Sequence, residues 1–460
     1  MTHSTSQFEE IQLERGGIAQ AIWLRGQALA ARFPAASQGL LSIFDQALVS
    51  GTSFITAAII GRTTSPDQLG MYYLLLSVVL ILTGIQDNVI SAPYLVHAKR
   101  RQGGELAEYG GSVWLHLLLM SATTVVALLI AIAATSASGQ MKAAAGLWAL
   151  VGAAPLLLLR QGIRRFSFAT LHVRSAIALD AVVAIIQLGG LFLAGRSGHL
   201  SLFVIYAIMG GACGVSGVGW YLLDRPQLRF VRERFLSDWR HNWAFGKWTL
   251  RSYLIGNTTP QVMLWMLGLT AGEAAAGTLG ACSTLVGMTY VLLNGVDNVL
   301  TPQAVGALHH GGAKNLRRFL LCAGAFLALT MGSFCLLALL TGDWLVVLVF
   351  GAHYQGTGAI LSMLGFSALA TSIGIVAGNG LWALEHPRAN FIADVACLIV
   401  TLIAAAILIP LYAAWGAAAA TLAGTAAAAV VRCLTLARFL EELESESQFS
   451  TGAALTSSCS

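Results

Sequence analysis

Two aspartates at matched positions of an internal repeat are the first residues of this chain that could do chemistry. The sequence Asp-Asn-Val-Ile-Ser at 87–91 returns 210 residues later as Asp-Asn-Val-Leu-Thr at 297–301. Each aspartate lies late in a long apolar run, where an ionised carboxylate costs about 2.5–3.5 kcal/mol at the bilayer centre. Repeats with matched polar positions are typical of transporters whose substrate path lies between the repeats. The pattern indicates transport across a membrane rather than bond chemistry.

The repeated pairs Asp87-Asn88 and Asp297-Asn298 admit two interpretations. In the first, they form a symmetric pair of sites that bind substrate or take part in a proton or sodium cycle. In the second, they are polar groups at helix ends, satisfied by nearby backbone and inherited through gene duplication. Both aspartates come late in their apolar runs, so we expect them near the cytoplasmic side.

Other polar side chains inside apolar runs are candidates for the same site. Asp45 and Gln46 lie about one turn inside the first apolar run, and Asp180 shares a helical face with Gln187, seven residues further on. A carboxylate here could take up a coupling proton or cation, or accept hydrogen bonds from sugar hydroxyls. The alternative is a carboxylate that is solvated at the cytoplasmic end of its helix.

Another stretch of the sequence combines an arginine with amide side chains around a proline. The guanidinium of Arg251 could bind phosphate oxygens in a bidentate manner, or it could extend to the phosphates of the inner leaflet. Asn257 and Gln261 flank Pro260, and a proline with polar neighbours inside a span marks a kink or a cavity-lining face. We expect this stretch to contact substrate.

The composition identifies the elements that must position these residues as membrane helices. Over 460 residues the chain is 57% hydrophobic and only 10% charged, and its mean hydropathy is +0.74. Soluble domains carry about 25% charged residues. The sequence contains neither a phosphate-binding GxxxxGK[ST] loop nor an HExxH metal motif, so we expect no ATP hydrolysis, no metal site and no catalytic residue. We expect no cofactor beyond a coupling H⁺ or Na⁺.

Apolar stretches of about 20 residues predict an all-α polytopic membrane protein with about twelve transmembrane helices in two six-helix bundles related by the internal repeat. The predicted organisation is a cytoplasmic N-terminal segment at 1–37, bundles at 38–223 and 247–436, a linker at 224–246, and a cytoplasmic tail at 437–460. Apolar side chains recur every three or four residues in the linker among several arginines, which predicts an amphipathic helix on the inner leaflet.

The distribution of basic residues predicts the orientation. With the N-terminus in the cytoplasm, all but three of the 26 Lys and Arg residues fall on the cytoplasmic side. The exceptions are Arg62, Lys142 and Arg196. We therefore expect both termini in the cytoplasm, in a plasma (bacterial inner) membrane. On this interpretation most of the other basic residues, among them Arg160, Arg164 and Arg165, set the topology and contact anionic lipids, and no nucleic-acid partner is needed.

Three motifs resemble a known family. The polar-studded first span at 44–54 ends in Gly61-Arg62, a short loop leads to Leu69-Gly70, and Val-Phe-Gly-Ala-His-Tyr occupies 349–354. Together with the repeat, these resemble the polysaccharide-transporter (PST/Wzx-like) flippases of O-antigen and exopolysaccharide assembly. That family belongs to the multidrug/oligosaccharidyl-lipid/polysaccharide (MOP) exporter superfamily, which includes multidrug/toxin extruders and the lipid II flippase. The resemblance covers most of the chain from about 38 to 436.

The resemblance implies alternating access between two bundles and an isoprenoid-pyrophosphate-linked oligosaccharide as cargo, moved from the inner to the outer leaflet. It also implies membrane lipids as partners, with a polysaccharide polymerase and export components acting alongside. Two alternatives stay open. A multidrug/toxin-type cation antiporter would favour a compact acidic pocket, and a membrane polysaccharide polymerase or ligase would need a sizeable outward loop with catalytic Arg and His.

Overall fold

A computed structural model describes residues 34–170, 172–224, 228–256 and 259–457, and every regular element in these ranges is a helix. Within this part of the chain, nine helices are long and apolar enough to cross a membrane. Two of them, 78 and 71 residues long, are more than twice the length that one crossing requires. The predicted all-α polytopic fold is confirmed.

The first half of the chain contains six long helices. The second of them, α2, continues through a π-helical turn at Asp87–Ser91 into the short helix α3. The helices are α1 (Pro34–Thr63), α2 (Pro66–Gln86), α3 (Ala92–His97), α4 (Gly103–Ala137), α5 (Met141–Ala169), α6 (Val173–Arg196) and α7 (Leu202–Asp224).

The second half contains five helices, two of which are each interrupted once, and together they account for the six spans predicted there. They are α8 (Arg232–Gly256), α9 (Thr259–Ala271), α10 (Glu273–Phe350), α11 (Gly358–Ala383) and α12 (Pro387–Ser457). Helix α10 breaks at Gly311 and Gly312, where Gly312 adopts φ 62°, a conformation that favours glycine. Helix α12 breaks at Ala413. Each break separates two predicted spans.

Among the described residues, one hydrophobic core contains buried side chains of both halves, and it lies at one end of the molecule. We call that end, where α1 ends, the Arg62 end, and the opposite end, where α5 ends, the Arg160 end. At the Arg62 end one core joins residues of both halves, among them Ile60, Leu69, Leu279 and Phe350. At the Arg160 end the described residues form separate cores, one around Tyr94 and Phe166, and another that contains Leu293, Leu316 and Leu440.

Close helix contacts hold the halves together at the Arg62 end. A Cβ on Gly70 would lie 1.8 Å from the carbonyl oxygen of Glu273, and a Cβ on Gly277 would lie 2.2 Å from that of Pro66. Only glycine permits α2 and α10 to approach this closely. Arg62 donates hydrogen bonds to the carbonyl oxygens of Leu348 and Val349, at 2.9 Å for the second. The Gly61-Arg62 motif therefore contacts the motif at 349–354.

Helix α8 contains most of the predicted linker and packs on the first half at the Arg160 end. It runs from Arg232 to Gly256 without a break near 246. Arg234 forms an ion pair with Glu108 at 2.7 Å, and Asn242 accepts a hydrogen bond from Tyr109 at 2.8 Å. The rings of Phe235 and Trp239 contact the ring of His116. Phe235 and Trp239 belong to the apolar face that was predicted to lie on the inner leaflet, and in the structure they contact α4.

Candidate functional site

The last turns of α5 present a row of basic and amide side chains to the neighbouring helices. Arg160 and Arg164 are four residues apart, as are Gln161 and Arg165, so each pair lies on one face of the helix. All four side chains contact aspartates of α1, of α6 or of the π-turn. Three of the carboxylates named from the sequence, Asp45, Asp87 and Asp180, therefore meet at α5.

Arg164 connects two buried carboxylates. Its terminal nitrogen donates to Oδ2 of Asp45, and its Nε lies 2.6 Å from Oδ2 of Asp180. Arg160 also forms an ion pair with Asp180, with Nε donating to Oδ1 at 3.0 Å. The side chains of Asp45 and Asp180 are 2% and 1% exposed. Buried carboxylates require partners of this kind, because an unpaired ion in a low dielectric is costly.

Asp87 forms a more accessible pair with Arg165. Arg165 donates from Nε to Oδ1 at 3.2 Å and from a terminal nitrogen to Oδ2 at 2.8 Å, a bidentate arrangement. Gln161 donates to the same carboxylate at 3.0 Å. The Arg165 side chain is 39% exposed, against 13% for Arg164. Of these two arginines, Arg165 is the one more accessible to a ligand.

The π-turn fixes the direction of Asp87. It begins at Asp87 and ends at Ser91, and π-turns inside α-helices occur often at functional sites. Helix α8 packs closely here, because a Cβ on Gly246 would lie 2.9 Å from the carbonyl oxygen of Asn88. The side chain of Asn88 donates to the carbonyl of Gly84 at 2.8 Å, so it satisfies local backbone.

The second copy of the repeat has a neutral partner instead of an arginine. Asp297 is exposed and accepts a hydrogen bond from Asn379 on α11 at 2.6 Å, and Thr301 donates to the same amide. Residues 297–301 remain α-helical. Asp87 thus contacts α5, and Asp297 contacts α11. Each of these helices corresponds to the fourth predicted span of its own half.

A further carboxylate, Asp394, lies in the first part of α12, which corresponds in the second half to α6 with its Asp180. Asp394 also pairs with an arginine. Arg432 contacts Asp394 at 2.5 Å and donates to Asn390 at 3.2 Å. Asp394 borders a cavity of about 230 Å³ that is otherwise rich in hydroxyl groups, including those of Thr401 and Tyr290. Thr259 and Pro260 border the same cavity, so part of the predicted proline stretch lies beside it.

We call Arg160, Gln161, Arg164 and Arg165, together with the aspartates that they contact, the α5 cluster. The remaining predicted residues are not in it. Gln46 is exposed and donates to Ser50 at 3.4 Å, and Gln261 is half-buried on α9. The guanidinium of Arg251 is exposed and lies over the ring of Trp248, 4.6 Å from its centroid. Thr249 faces the π-turn and Tyr253 faces α2, so Arg251, two residues from each, lies on the opposite side of α8. Asn257 and the side chain of Asn298 lie outside the described residues.

The sequence interpretation missed the role of Arg160, Arg164 and Arg165. It assigned them to topology because they fall at the end of a span. The four-residue spacing of Arg160 and Arg164 was the available signal, since it places two guanidinium groups on one helix face instead of scattering them in a loop.

Comparison with known proteins supports the fold. No protein-family model matches the chain, and no curated protein sequence matches it. Among solved structures, an inward-facing multidrug-resistance MATE transporter of the MOP superfamily aligns with a TM-score of 0.70 and 12% identity, over 87% of this chain and 96% of the other. The lipid II flippase MurJ in an inward closed conformation aligns with a TM-score of 0.66 and 13% identity, over 87% of both chains.

The similarity also depends on conformation. An outward-facing multidrug-resistance MATE transporter aligns with a TM-score of 0.57 and 12% identity, over 89% of this chain and 97% of the other. The chain therefore has the fold of the MOP-superfamily transporters, and its arrangement is more similar to the inward-facing transporter than to the outward-facing one.

Proposed function

We propose that this protein is a flippase that moves an isoprenoid-pyrophosphate-linked oligosaccharide from the inner to the outer leaflet of the plasma membrane. It acts by alternating access in the assembly of a surface or exopolysaccharide, where a polymerase and export components use its product. The Arg160 end and both termini face the cytoplasm, in the orientation that the basic residues favour. The separate cores at that end then correspond to a molecule open to the inside.

The observation that carries this proposal is the neutralisation of the site carboxylates by arginines. Asp45, Asp87 and Asp180 each contact a guanidinium. An organic cation needs a carboxylate that is not already paired, whereas a pyrophosphate needs guanidinium groups that it can reach. The exposed and bidentate Arg165 meets the second requirement.

In the proposed mechanism, the cargo replaces an internal partner of Arg165. In the structure Arg165 binds the carboxylate of Asp87, and a pyrophosphate offers the same guanidinium the same bidentate geometry. Exchange leaves Asp87 with its hydrogen bond from Gln161, so the carboxylate keeps one donor. Because a ligand shifts a conformational equilibrium only through its differential affinity for the two states, this exchange supplies a physical basis for the switch.

Ion coupling is assigned to Asp297 in this proposal. Its partner Asn379 is neutral, and the side chain is exposed, so a proton or sodium ion can reach it without first breaking an ion pair. The three α5-bound aspartates would each have to lose a guanidinium before they could bind a cation.

The proposal is tested with purified protein in liposomes that contain a fluorescent isoprenoid-pyrophosphate oligosaccharide. A membrane-impermeant quencher reports the fraction in the outer leaflet over time. We expect protein-dependent crossing that Arg165→Gln reduces at least about tenfold, the effect of one lost charge-assisted interaction. Arg100→Gln removes an exposed arginine near the same end of the molecule and serves as the matched control.

The exposed carboxylate of Asp297 makes a cation antiporter the second candidate. Liposomes loaded with a fluorescent organic cation and given a pH gradient test it directly. Cation efflux without movement of the lipid-linked oligosaccharide would replace the flippase assignment with the antiporter.

A further inference from the structure

A second surface of the protein, separate from the α5 cluster, has the form of a lipid site. A groove of about 500 Å³ lies between the second part of α10, α11 and the last part of α12. Small residues form its wall on α10, where Gly324, Ala325 and Ala328 all border the groove. A Cβ on Gly324 would lie 3.8 Å from a side-chain methyl of Val376, an ordinary van der Waals contact, so α10 and α11 approach each other at this glycine without a clash.

The inner part of the groove is apolar. Side chains of α11 and α12 complete it, and four of them are less than 10% exposed: Val376, Ala377, Leu436 and Leu440. An apolar groove of this size suits hydrocarbon, because it offers a chain contacts on three sides. In a protein with the fold of membrane transporters, hydrocarbon chains of lipids are the abundant apolar ligand.

The rim of the groove carries charges of both signs. Arg317 borders it from α10, and Glu441 and Glu444 border it from α12. The two glutamates are three residues apart and therefore lie on one face of α12, above Leu440. The rim has one guanidinium and two carboxylates, a net charge of −1.

We infer that this groove binds a phospholipid whose headgroup contains both a phosphate and a primary ammonium, namely phosphatidylethanolamine. Arg317 takes the phosphodiester, Glu441 and Glu444 take the ammonium, and an acyl chain occupies the apolar part. Charge complementarity selects this occupant. A purely anionic lipid, or the proposed pyrophosphate carrier itself, would place its negative charge beside two carboxylates. A choline headgroup offers no N–H donor to them.

Native mass spectrometry of the full-length protein in detergent tests this inference. Equal amounts of phosphatidylethanolamine, phosphatidylglycerol and phosphatidylcholine with identical acyl chains compete for the protein. We expect phosphatidylethanolamine adducts to exceed the others about tenfold, the size of one charge-assisted hydrogen bond. Equal retention of the three lipids would overturn the inference.

Variants at the rim separate the two charges. Glu441→Gln combined with Glu444→Gln removes the preference for phosphatidylethanolamine over phosphatidylglycerol, and Arg317→Gln reduces the retention of all three lipids. The controls Arg318→Gln and Glu442→Gln change neighbouring exposed residues that do not border the groove, and both keep the wild-type preference. A preference that survives the double glutamate change contradicts the assignment of the rim.

A variant in the apolar part tests the position of the acyl chain. Ala325→Trp fills the groove and eliminates the adducts, whereas Ala406→Trp, at an exposed position of α12 away from the groove, retains them. The rim variants alter exposed or half-exposed side chains and test the site even if the tryptophan prevents folding. Displacement of phosphatidylethanolamine by the isoprenoid-pyrophosphate carrier would assign the groove to the cargo instead.

Discussion

Arg164 contacts two buried carboxylates, so its removal affects stability more than that of the other residues in the α5 cluster. Arg164→Gln leaves the buried carboxylate of Asp45 without a guanidinium, and it removes one of the two guanidinium groups that contact Asp180. Loss of one partner of a buried ion pair costs about 3–5 kcal/mol. We expect a decrease of that size in the free energy of unfolding, measured by reversible unfolding in mixed micelles. Arg174→Gln, at an exposed position on α6, should change it by less than about 0.5 kcal/mol.

The partner of Arg164 provides an internal check on that prediction. Adding Asp45→Asn to Arg164→Gln removes one stranded charge, so the double variant should recover part of the lost stability. No recovery would mean that the cost arises from packing of the arginine stem and not from the buried charge.

Asp297 is the residue whose charge can change with the least disruption. Asp297→Asn keeps an oxygen that accepts the hydrogen bond from Asn379 but cannot bind a proton. We expect oligosaccharide movement that no longer accelerates when a pH gradient is imposed, while exchange without a gradient continues. The measurement is the liposome assay with and without the gradient, and a retained acceleration would assign coupling to another carboxylate.

The sequence identified the three aspartates that meet at α5, but not the side chains that they contact there. Asp45, Asp87 and Asp180 were conspicuous because charged residues are rare in apolar runs. Arginines at the end of a span serve topology in most membrane proteins, and only the packing of α5 against α1 and α6 distinguishes these from the rest. Asp297 and Asp87 were recognised as a repeat, but the difference between an amide and a guanidinium partner depends on helices that are distant in the sequence.

At the scale of the helices, the contact between α2 and α10 depends on glycine. Gly277→Ala places a Cβ 2.2 Å from the carbonyl oxygen of Pro66, which backbone atoms cannot relieve without separating the helices. We expect this variant to weaken the Arg62 end and to raise the labelling rate of a single cysteine introduced there, measured with a water-soluble maleimide. Gly287→Ala, on the same helix with no heavy atom within 4 Å, should leave that rate unchanged.

The helices themselves were largely predictable because hydropathy and length determine them. Their irregularities were not. The π-turn at 87–91 precedes Pro93, and the break at Ala413 lies between Pro410 and Gly416, but such residues are tolerated within membrane helices, so they do not by themselves specify either irregularity. The packing of α8 was also not predictable. Its apolar side chains follow a pattern typical of lipid-facing helices, but in the structure two of them contact His116 of α4.

At the scale of the whole molecule, the two halves share a core at the Arg62 end, whereas the described residues at the Arg160 end form separate cores. Hydropathy cannot predict this difference, because it indicates which helices are apolar and not which ends of the two halves meet. The α5 cluster lies at the Arg160 end, where Arg165, the most exposed of its three arginines, is accessible from the side that we assign to the cytoplasm.

Oligosaccharide movement while the Arg62 end is locked tests whether access alternates between the two ends of the molecule. A Cβ on Gly280 would lie 2.7 Å from Cγ of Tyr73, one bond from the Tyr73 Cβ. The two Cβ atoms are thus within reach of a disulfide, in which they are about 3.5–4.5 Å apart. Tyr73→Cys with Gly280→Cys, in a chain whose seven native cysteines are replaced by alanine, cross-links α2 to α10.

With this disulfide formed, we predict that the fluorescent isoprenoid-pyrophosphate oligosaccharide stays in its leaflet, and that reduction of the disulfide restores its movement. The single variant Tyr73→Cys, treated with the same oxidant, should remain active. Undiminished movement through the locked protein would contradict the alternation of access between the two ends.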